Sequence, residues 1–355
     1  MGITCSPMGI CWKMDVLIKD CGGHGRALEI LTYHDMDNIQ KNPSDISQFI
    51  DRLLDIYPNA VPNESNSMAI IKSVIGNSYV NRDNILPGGD KTPDEVCAVG
   101  LVRFKVLDPQ EDNPRGRFEI PYIWILCFCS KNTHPLIANL QLLDYNQISC
   151  IDRLTIPGNV AFDSFEKIIL QFRKLKSLVF EEGEDVTIGR VHDGALMTDS
   201  TANISFRNHW LQDDVATSQT STKTNTSNER EWLVNTKANG DINLREHRFI
   251  LLNAANAKAG DIVLCLDSQS PSTEAHQLKY YAAKGGSKIE FDSERSKAVS
   301  QHDVFVLITT ADSIPFGVQV PDRCVLVCGE NWNKYFGPYA ARSYLWAKQV
   351  LCTRS

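Results

Sequence analysis

The stretch richest in chemistry runs from Ala259 to Tyr281. An acid, Asp261, follows Gly260 and opens an apolar run. A turn containing Pro271 comes next, and a second run carries Glu274, Gln277 and Lys279. Side chains alternate across a strand, so Gln277 and Lys279 share one face. A hairpin centred near Gln269 brings Asp261 beside both. A carboxylate and an amide oxygen are hard ligands suited to Mg²⁺. Such an ion polarises a phosphate and lowers the pKa of a bound water, and a lysine on the same face can hold that water or stabilise transition-state charge. The pattern therefore points to metal-assisted phosphodiester hydrolysis. Asp261, Gln277 and Lys279 are the candidate catalytic residues; Asp261, Gln277 and Glu274 are the candidate metal ligands. On spacing alone the alternative is a polar strand end with one solvated lysine and a turn-capping aspartate. Glu274 falls on the opposite face by parity unless a bulge intervenes. Glu229, Glu231 and Glu246 are further sources of an acid. Asp267 reads as a solvated turn residue and His276 as a surface or core residue facing away from Lys279; His24 and His192 are weak candidates.

The elements that must position these residues form two zones. Up to about residue 215 the pattern is mainly helical, with an α+β mixture. Ser44–Tyr57 puts Ile46, Phe49, Ile50, Leu53, Leu54 and Tyr57 on one face, ending at Pro58. Asn63–Ile75 and Val160–Phe180 read likewise. Residues 216–228 are almost entirely Ser, Thr, Asn and Gln and read as a polar linker. From residue 229 to 355 the rhythm becomes α/β. Buried strands are expected at Arg248–Asn253, Asp261–Leu266, Thr273–Ala282, Val304–Thr309 and Cys324–Cys328, with helices at Phe291–His302 and Tyr335–Lys348. Strand, hairpin, helix, strand, strand implies a mixed sheet flanked by helices.

Composition bounds the rest. The 355 residues are 43% hydrophobic and 22% charged, which excludes a wholly disordered or fibrous chain. The net charge is −7. From Glu229 onward 15 Lys and Arg face 14 Asp and Glu, so the first 228 residues carry −8. The acidic N-terminal half suits a protein partner, and the near-neutral remainder is compatible with a phosphate-containing one. Lys284, Lys288, Arg295 and Lys297 follow the second run and could meet a phosphate backbone or form a solvated face. The longest apolar run, Ile120–Cys129, is strand-like and too short to span a bilayer. No signal peptide or membrane span is expected. Eleven scattered cysteines in a large chain do not read as a disulfide scaffold; Cys127 with Cys129, and Cys324 with Cys328, match zinc spacing only loosely and read as small buried apolar residues.

The segments Leu252-Asn253-Ala254, Ala257 and Gly260-Asp261, then Glu274, Gln277 and Lys279-Tyr280, resemble the C-terminal nuclease module of Crinkler effectors and retrotransposon hot spot proteins. That module belongs to the restriction-endonuclease-like PD-(D/E)XK superfamily. Asn331-Trp332, with Tyr335-Phe336-Gly337-Pro338, resembles its closing segment. Asp20-Cys-Gly-Gly-His-Gly-Arg26 is similar to the end of the family's ATPase domain, with Gly25 where proline is usual. Val186 to Ala195, through His192 and Gly194, is similar to the region between ATPase and nuclease. No G-x-x-x-x-G-K-[ST] motif occurs, and Gly88-Gly89-Asp90-Lys91-Thr92 is the nearest approach. The resemblance thus implies a P-loop-less ATPase remnant over 1–215 and a nuclease domain over 229–355. It also implies a Mg²⁺-dependent endonuclease acting on nucleic acid, DNA ahead of RNA, inside a cell and in the nucleus, with no ATP bound. Where the superfamily has an acid two residues before its lysine, this chain has Gln277, which removes a ligand charge. The alternative is a catalytically decayed effector that binds nucleic acid or protein.

Overall fold

The computed structural model describes residues 18, 20–33, 44–98, 101–110, 112–131, 158–213, 233–236, 240–243, 248–253, 260–268, 272–279, 293–295, 302–309, 311 and 319–340. Two compact units emerge: Met1–Pro157 with Gly337–Leu345, and Gly158–Phe336 with Trp346–Ser355. The division falls before the helix at Gly158, earlier than the polar stretch at 216–228, which lies outside the described residues.

The first unit contains α1 (Gly25–Tyr33), α2 (Ser44–Ile56), α3 (Glu64–Ile75), β1 (Val80–Asn81), α4 (Pro93–Cys97), β2 (Arg103–Val106), β3 (Arg115–Glu119) and α5 (Tyr122–Lys131). The three strands form an antiparallel sheet in the order β1-β3-β2. Asn63 caps α3 by accepting from Asn66 N–H, as its residue type favours. The apolar run at 120–129, expected as a strand, is instead the helix α5, buried from Tyr122 to Cys129. A short run that is apolar all round has no periodicity to separate helix from strand. Burial pushes the Cys127 and Cys129 thiols up to about 12. The Gly88–Thr92 loop, the nearest approach to a phosphate loop, serves a structural end: the Asp90 and Lys91 backbone N–H groups donate to Asn66 Oδ1 at 3.1 and 3.3 Å. Thr92 and Glu95 form a capping box at the start of α4.

The second unit contains α6 (Gly158–Val179), β4 (Asp185–Thr187), α7 (Ile188–Val191), α8 (Asp199–Ala202), β5 (Ser205–Arg207), β6 (Gln212–Asp213), β7 (Leu233–Thr236), β8 (Gly240–Asn243), β9 (Phe249–Leu252), β10 (Ile262–Leu266), β11 (Ser272–Lys279), β12 (Val304–Thr309), β13 (Cys324–Val327) and α9 (Trp332–Phe336). Its centre is a mixed sheet in the order β13-β12-β11-β10-β9-β6. β10 pairs antiparallel with both neighbours, while β11-β12, β12-β13 and β6-β9 are parallel. Thus β10 alone runs against the rest. This is the expected α/β class with a mixed sheet and helices.

Every residue of β12 and β13 is buried. Such continuous Val, Ile, Leu and Phe runs mark strands covered on both faces. Phe305, Leu307, Cys324, Leu326 and Cys328 form one core cluster. On α6, Phe165 stacks on Trp332 and Phe172 meets Phe336 at 5.0 Å between ring centroids, fastening α6 to α9. The last helix begins at Trp332 rather than Tyr335, and passes at Gly337 (φ +54°) into a 3-10 turn. Residues 341–355 lie outside the described set. Among the described residues no helix is long and apolar enough to cross a membrane.

Candidate functional site

The β10–β11 hairpin has the expected register: Ile262 opposes His276 and Leu266 opposes Ser272. One step beyond that ladder, Asp261 stands across from Gln277. Gly260 makes the approach possible, since a Cβ there would lie 2.6 Å from the His276 carbonyl oxygen. Asn253 fixes the same corner from β9: its backbone N–H donates to the Asp261 carbonyl at 2.8 Å, and its Nδ2 donates to the Gly260 carbonyl. Gly260→Ala should therefore cost about 1–3 kcal/mol, the range for forcing a methyl into a filled space. Urea denaturation checks this, and an unchanged midpoint would refute the close approach.

Asp261 Oδ2 accepts from Gln277 Nε2 at 2.7 Å and from the Leu278 backbone N–H at 2.6 Å. Lys279, two residues beyond Gln277 on the same face, pairs with Glu294 in the helical turn 293–295, Nζ to Oε2 3.0 Å. Burial pushes the Asp261 carboxyl up to about 6, against the Leu278 N–H and the Lys279 charge, which lower it. In the unfolded chain this group titrates near its ordinary 3.8. The folded state therefore binds the proton more tightly, and Asp261 costs stability progressively as pH rises from about 4 to about 6. In metal-free buffer, Asp261→Asn keeps the acceptor oxygen and removes this cost. Its stability relative to wild type should be greatest at pH 7 and shrink as pH falls to 5; a constant difference would contradict the shift.

Glu274, grouped by sequence with Asp261 as a ligand, is not brought to it. No bulge interrupts β11, so Glu274 and His276 face the other side, toward α6. There Glu274 is fully buried and takes a two-pronged pair from Arg173: Nε to Oε1 2.7 Å and Nη2 to Oε2 2.9 Å. His276 Nε2 and His192 Nε2 lie 2.6 and 3.1 Å from the same Oε1, and His192 Nδ1 lies 3.0 Å from the Tyr335 hydroxyl. With Glu274 ionised, both imidazoles are Nε2–H donors and Tyr335 donates to His192. Lys176 completes the network, its ammonium 4.0 Å from the Tyr335 ring centroid. Burial pushes Glu274 up, but Arg173 and His192 outweigh it, so the carboxyl lies well below its ordinary range. Burial lowers His192 to about 4 and Lys176 to about 7.

His192, Glu274 and His276 have one ligand atom each within 4.8 Å of one another. Arg173 already occupies Oε1, however, and a buried guanidinium beside a dication would be strongly repelled. The arrangement is a hydrogen-bonded core network. Sequence reading passed over Arg173 and Lys176 because they sit between the apolar residues of α6, where basic side chains ordinarily face water.

Two of the segments that carry the family resemblance, the one through His192 and Gly194 and the one from Asn331 to Phe336, meet in this unit. A Cβ at Gly194 (φ +91°) would lie 2.7 Å from the Lys334 carbonyl, so the His192–Ala195 turn packs directly on α9. Asn331 accepts from Cys328 N–H and donates to the Gly194 and Leu326 carbonyls. Asp267 is exposed yet bonded, His209 Nε2 to Oδ2 2.8 Å. His24 lies in the first unit, its ring edge-on to Trp124 at 5.5 Å. Arg295 is half-buried; Glu229, Glu231, Glu246, Lys284, Lys288 and Lys297 lie outside the described residues.

Fold and site thus define an α/β unit whose hairpin presents a carboxylate, an amide and a lysine on one face. Compared with known proteins, the chain is similar to Crinkler effector protein 108 of Phytophthora sojae, 24% identical over 356 residues. The match covers 92% of this chain and 39% of that protein, so the chain spans well under half of its relative's length. The similarity supports a Crinkler-like effector relationship. No family model matches, and no solved structure matches.

Proposed function

We propose that the second unit is a metal-dependent nuclease hydrolysing phosphodiester bonds of nucleic acid, DNA ahead of RNA, with Mg²⁺ as its metal. The observation that carries this is the juxtaposition of Asp261 and Gln277 across the β10–β11 pair, with Lys279 two residues further along the same face. A single reversed strand, β10, in an otherwise parallel sheet is compatible with a restriction-endonuclease-like core. The donor set suits a hard cation: with Oδ2 of Asp261 engaged, its Oδ1 and Gln277 Oε1 accept no hydrogen bond among the described residues. When bound, Mg²⁺ would polarise the scissile phosphate and acidify a water. Asp261 and Gln277 would hold the ion. Released from Glu294, the Lys279 ammonium would orient the attacking water and neutralise charge growing on the phosphate oxygens.

A second reading is a non-catalytic effector module that binds nucleic acid or, through its acidic N-terminal half, a protein. It is favoured by the self-contained bonding of Asp261 to Gln277 and of Lys279 to Glu294. Incubating the purified chain with plasmid DNA and structured RNA, with Mg²⁺ or with a chelator, separates the readings. Metal-dependent cutting supports the nuclease; gel retardation without cutting under any divalent ion supports the binding module.

A further inference from the structure

The three-stranded sheet of the first unit has two unlike faces. Alternation along β2 and β3 turns Phe104, Val106 and Phe118 inward, with the two phenylalanine rings edge-on at 5.5 Å between centroids. Gly116 lets the strands close on them, since a Cβ there would lie 2.6 Å from the Lys105 carbonyl oxygen. The register then sets Arg103 across from Glu119, and Lys105 across from Arg117, on the outward face. One step further the Leu107 N–H donates to the Arg115 carbonyl at 2.8 Å, and Asn81 of β1 opposes Arg115 from the other side. Tyr79, one residue before β1, shares the side of Asn81 by alternation, and its ring is exposed, as is Leu107.

On β2 and β3 this outward face carries Arg103, Lys105, Arg115 and Arg117 against the single acid Glu119. Glu119 is shared, its Oε1 lying 3.6 Å from Lys105 Nζ and 3.8 Å from Arg117 Nη2. Arg103 and Arg115 are exposed and have no ion-pair partner among the described residues. Asp108 and Asp112 lie beyond the strand ends, in the β2–β3 loop. Like charges directly opposite, as at Lys105 and Arg117, weaken a sheet. One sign is nevertheless concentrated here, within a stretch of 228 residues that carries −8 overall. Such a face is complementary to a polyanion. Guanidinium forks match phosphate oxygens two at a time, which favours phosphates over a merely acidic surface, and an exposed ring beside them offers a base a stacking partner. We propose that the outward face of β1-β3-β2 binds single-stranded nucleic acid, with Arg103, Lys105, Arg115 and Arg117 on the phosphates and Tyr79 on a base. The site lies in the first unit and does not depend on the hydrolytic reading of the second.

The test is fluorescence anisotropy of a labelled single-stranded oligonucleotide with the intact chain, in chelator so that nothing is cut. Arg103→Ala, Lys105→Ala and Arg115→Ala combined should weaken binding about tenfold or more and flatten the slope of log affinity against log salt by about 2, each phosphate contact on a single strand contributing about 0.7. Arg52→Ala, Lys91→Ala and Lys131→Ala combined remove the same charge from other elements of the unit and should change both little. Arg103→Lys with Arg115→Lys keeps the charges and should keep the slope, which loss of fold would not do. Tyr79→Ala should weaken binding about fivefold or more at an unchanged slope. Unchanged affinity and slope in the triple variant of the face, or an equal loss in the control triple, would overturn the proposal. So would a wild-type chain that binds anionic lipid vesicles or an acidic peptide but no oligonucleotide at low salt.

Discussion

Replacing Arg173 by Met is expected to destabilise the second unit by about 3–5 kcal/mol, the cost of leaving a buried ion-pair partner uncompensated. Glu274 accepts two hydrogen bonds from Arg173 with both side chains almost wholly excluded from water. Without the guanidinium its carboxylate retains only the two imidazoles, and either unfolds the unit or takes up a proton. Glu274→Gln should cost a similar amount for the converse reason. The double variant should cost clearly less than the sum, because each single change leaves the other charge stranded. Urea denaturation of the four proteins measures this. An additive double variant, or an unchanged midpoint for Arg173→Met, would mean that the pair does not hold the sheet to α6. The same network makes the fold acid-sensitive. His192 is depressed to about 4 from an ordinary 6.5, and Glu274 is depressed as well. Groups lowered on folding give stability that is present above their unfolded values. His192's share should fade as pH drops from about 6.5 toward 4, and that of Glu274 below it.

Lys279→Ala should lower nucleic-acid cutting by a factor on the order of 10²–10³, the range for losing one charge-stabilising group in a hydrolytic site. Its side chain is about one-third exposed and its ion pair lies near the surface, so the fold should be nearly unaffected. Asp261→Asn should lose activity comparably while preserving its bonds to Leu278 and Gln277. The contrast with Arg173 is the point: on one face of β11 the charged residues are sealed from water, and on the other Lys279 keeps the partial exposure that the proposed chemistry would need.

The hairpin was readable from sequence because Asp261, the Pro271 turn and the Gln277–Lys279 alternation obey the two-residue period of a strand. The buried strands were readable from their unbroken Val, Ile and Leu runs. Four features were not. The run at 120–129 lacks any polar position to report its period and is a helix. Strand parity sets Glu274 on the face opposite Gln277, but what it meets there, Arg173, is 101 residues away in sequence and no local pattern names it. His192 and Tyr335 likewise meet only in three dimensions, 143 residues apart. Glu294 drew no attention because its relation to Lys279 depends on where the helical turn 293–295 docks, which no local pattern encodes.

The most direct measurement is a side-by-side digestion of plasmid DNA and structured RNA by the wild-type chain and Lys279→Ala, in Mg²⁺ and in chelator, with circular dichroism spectra matched. The account predicts cutting by the wild type in Mg²⁺ alone and its loss in Lys279→Ala with an unchanged spectrum. Equal cutting by both proteins, or none by the wild type with any divalent ion, would contradict it.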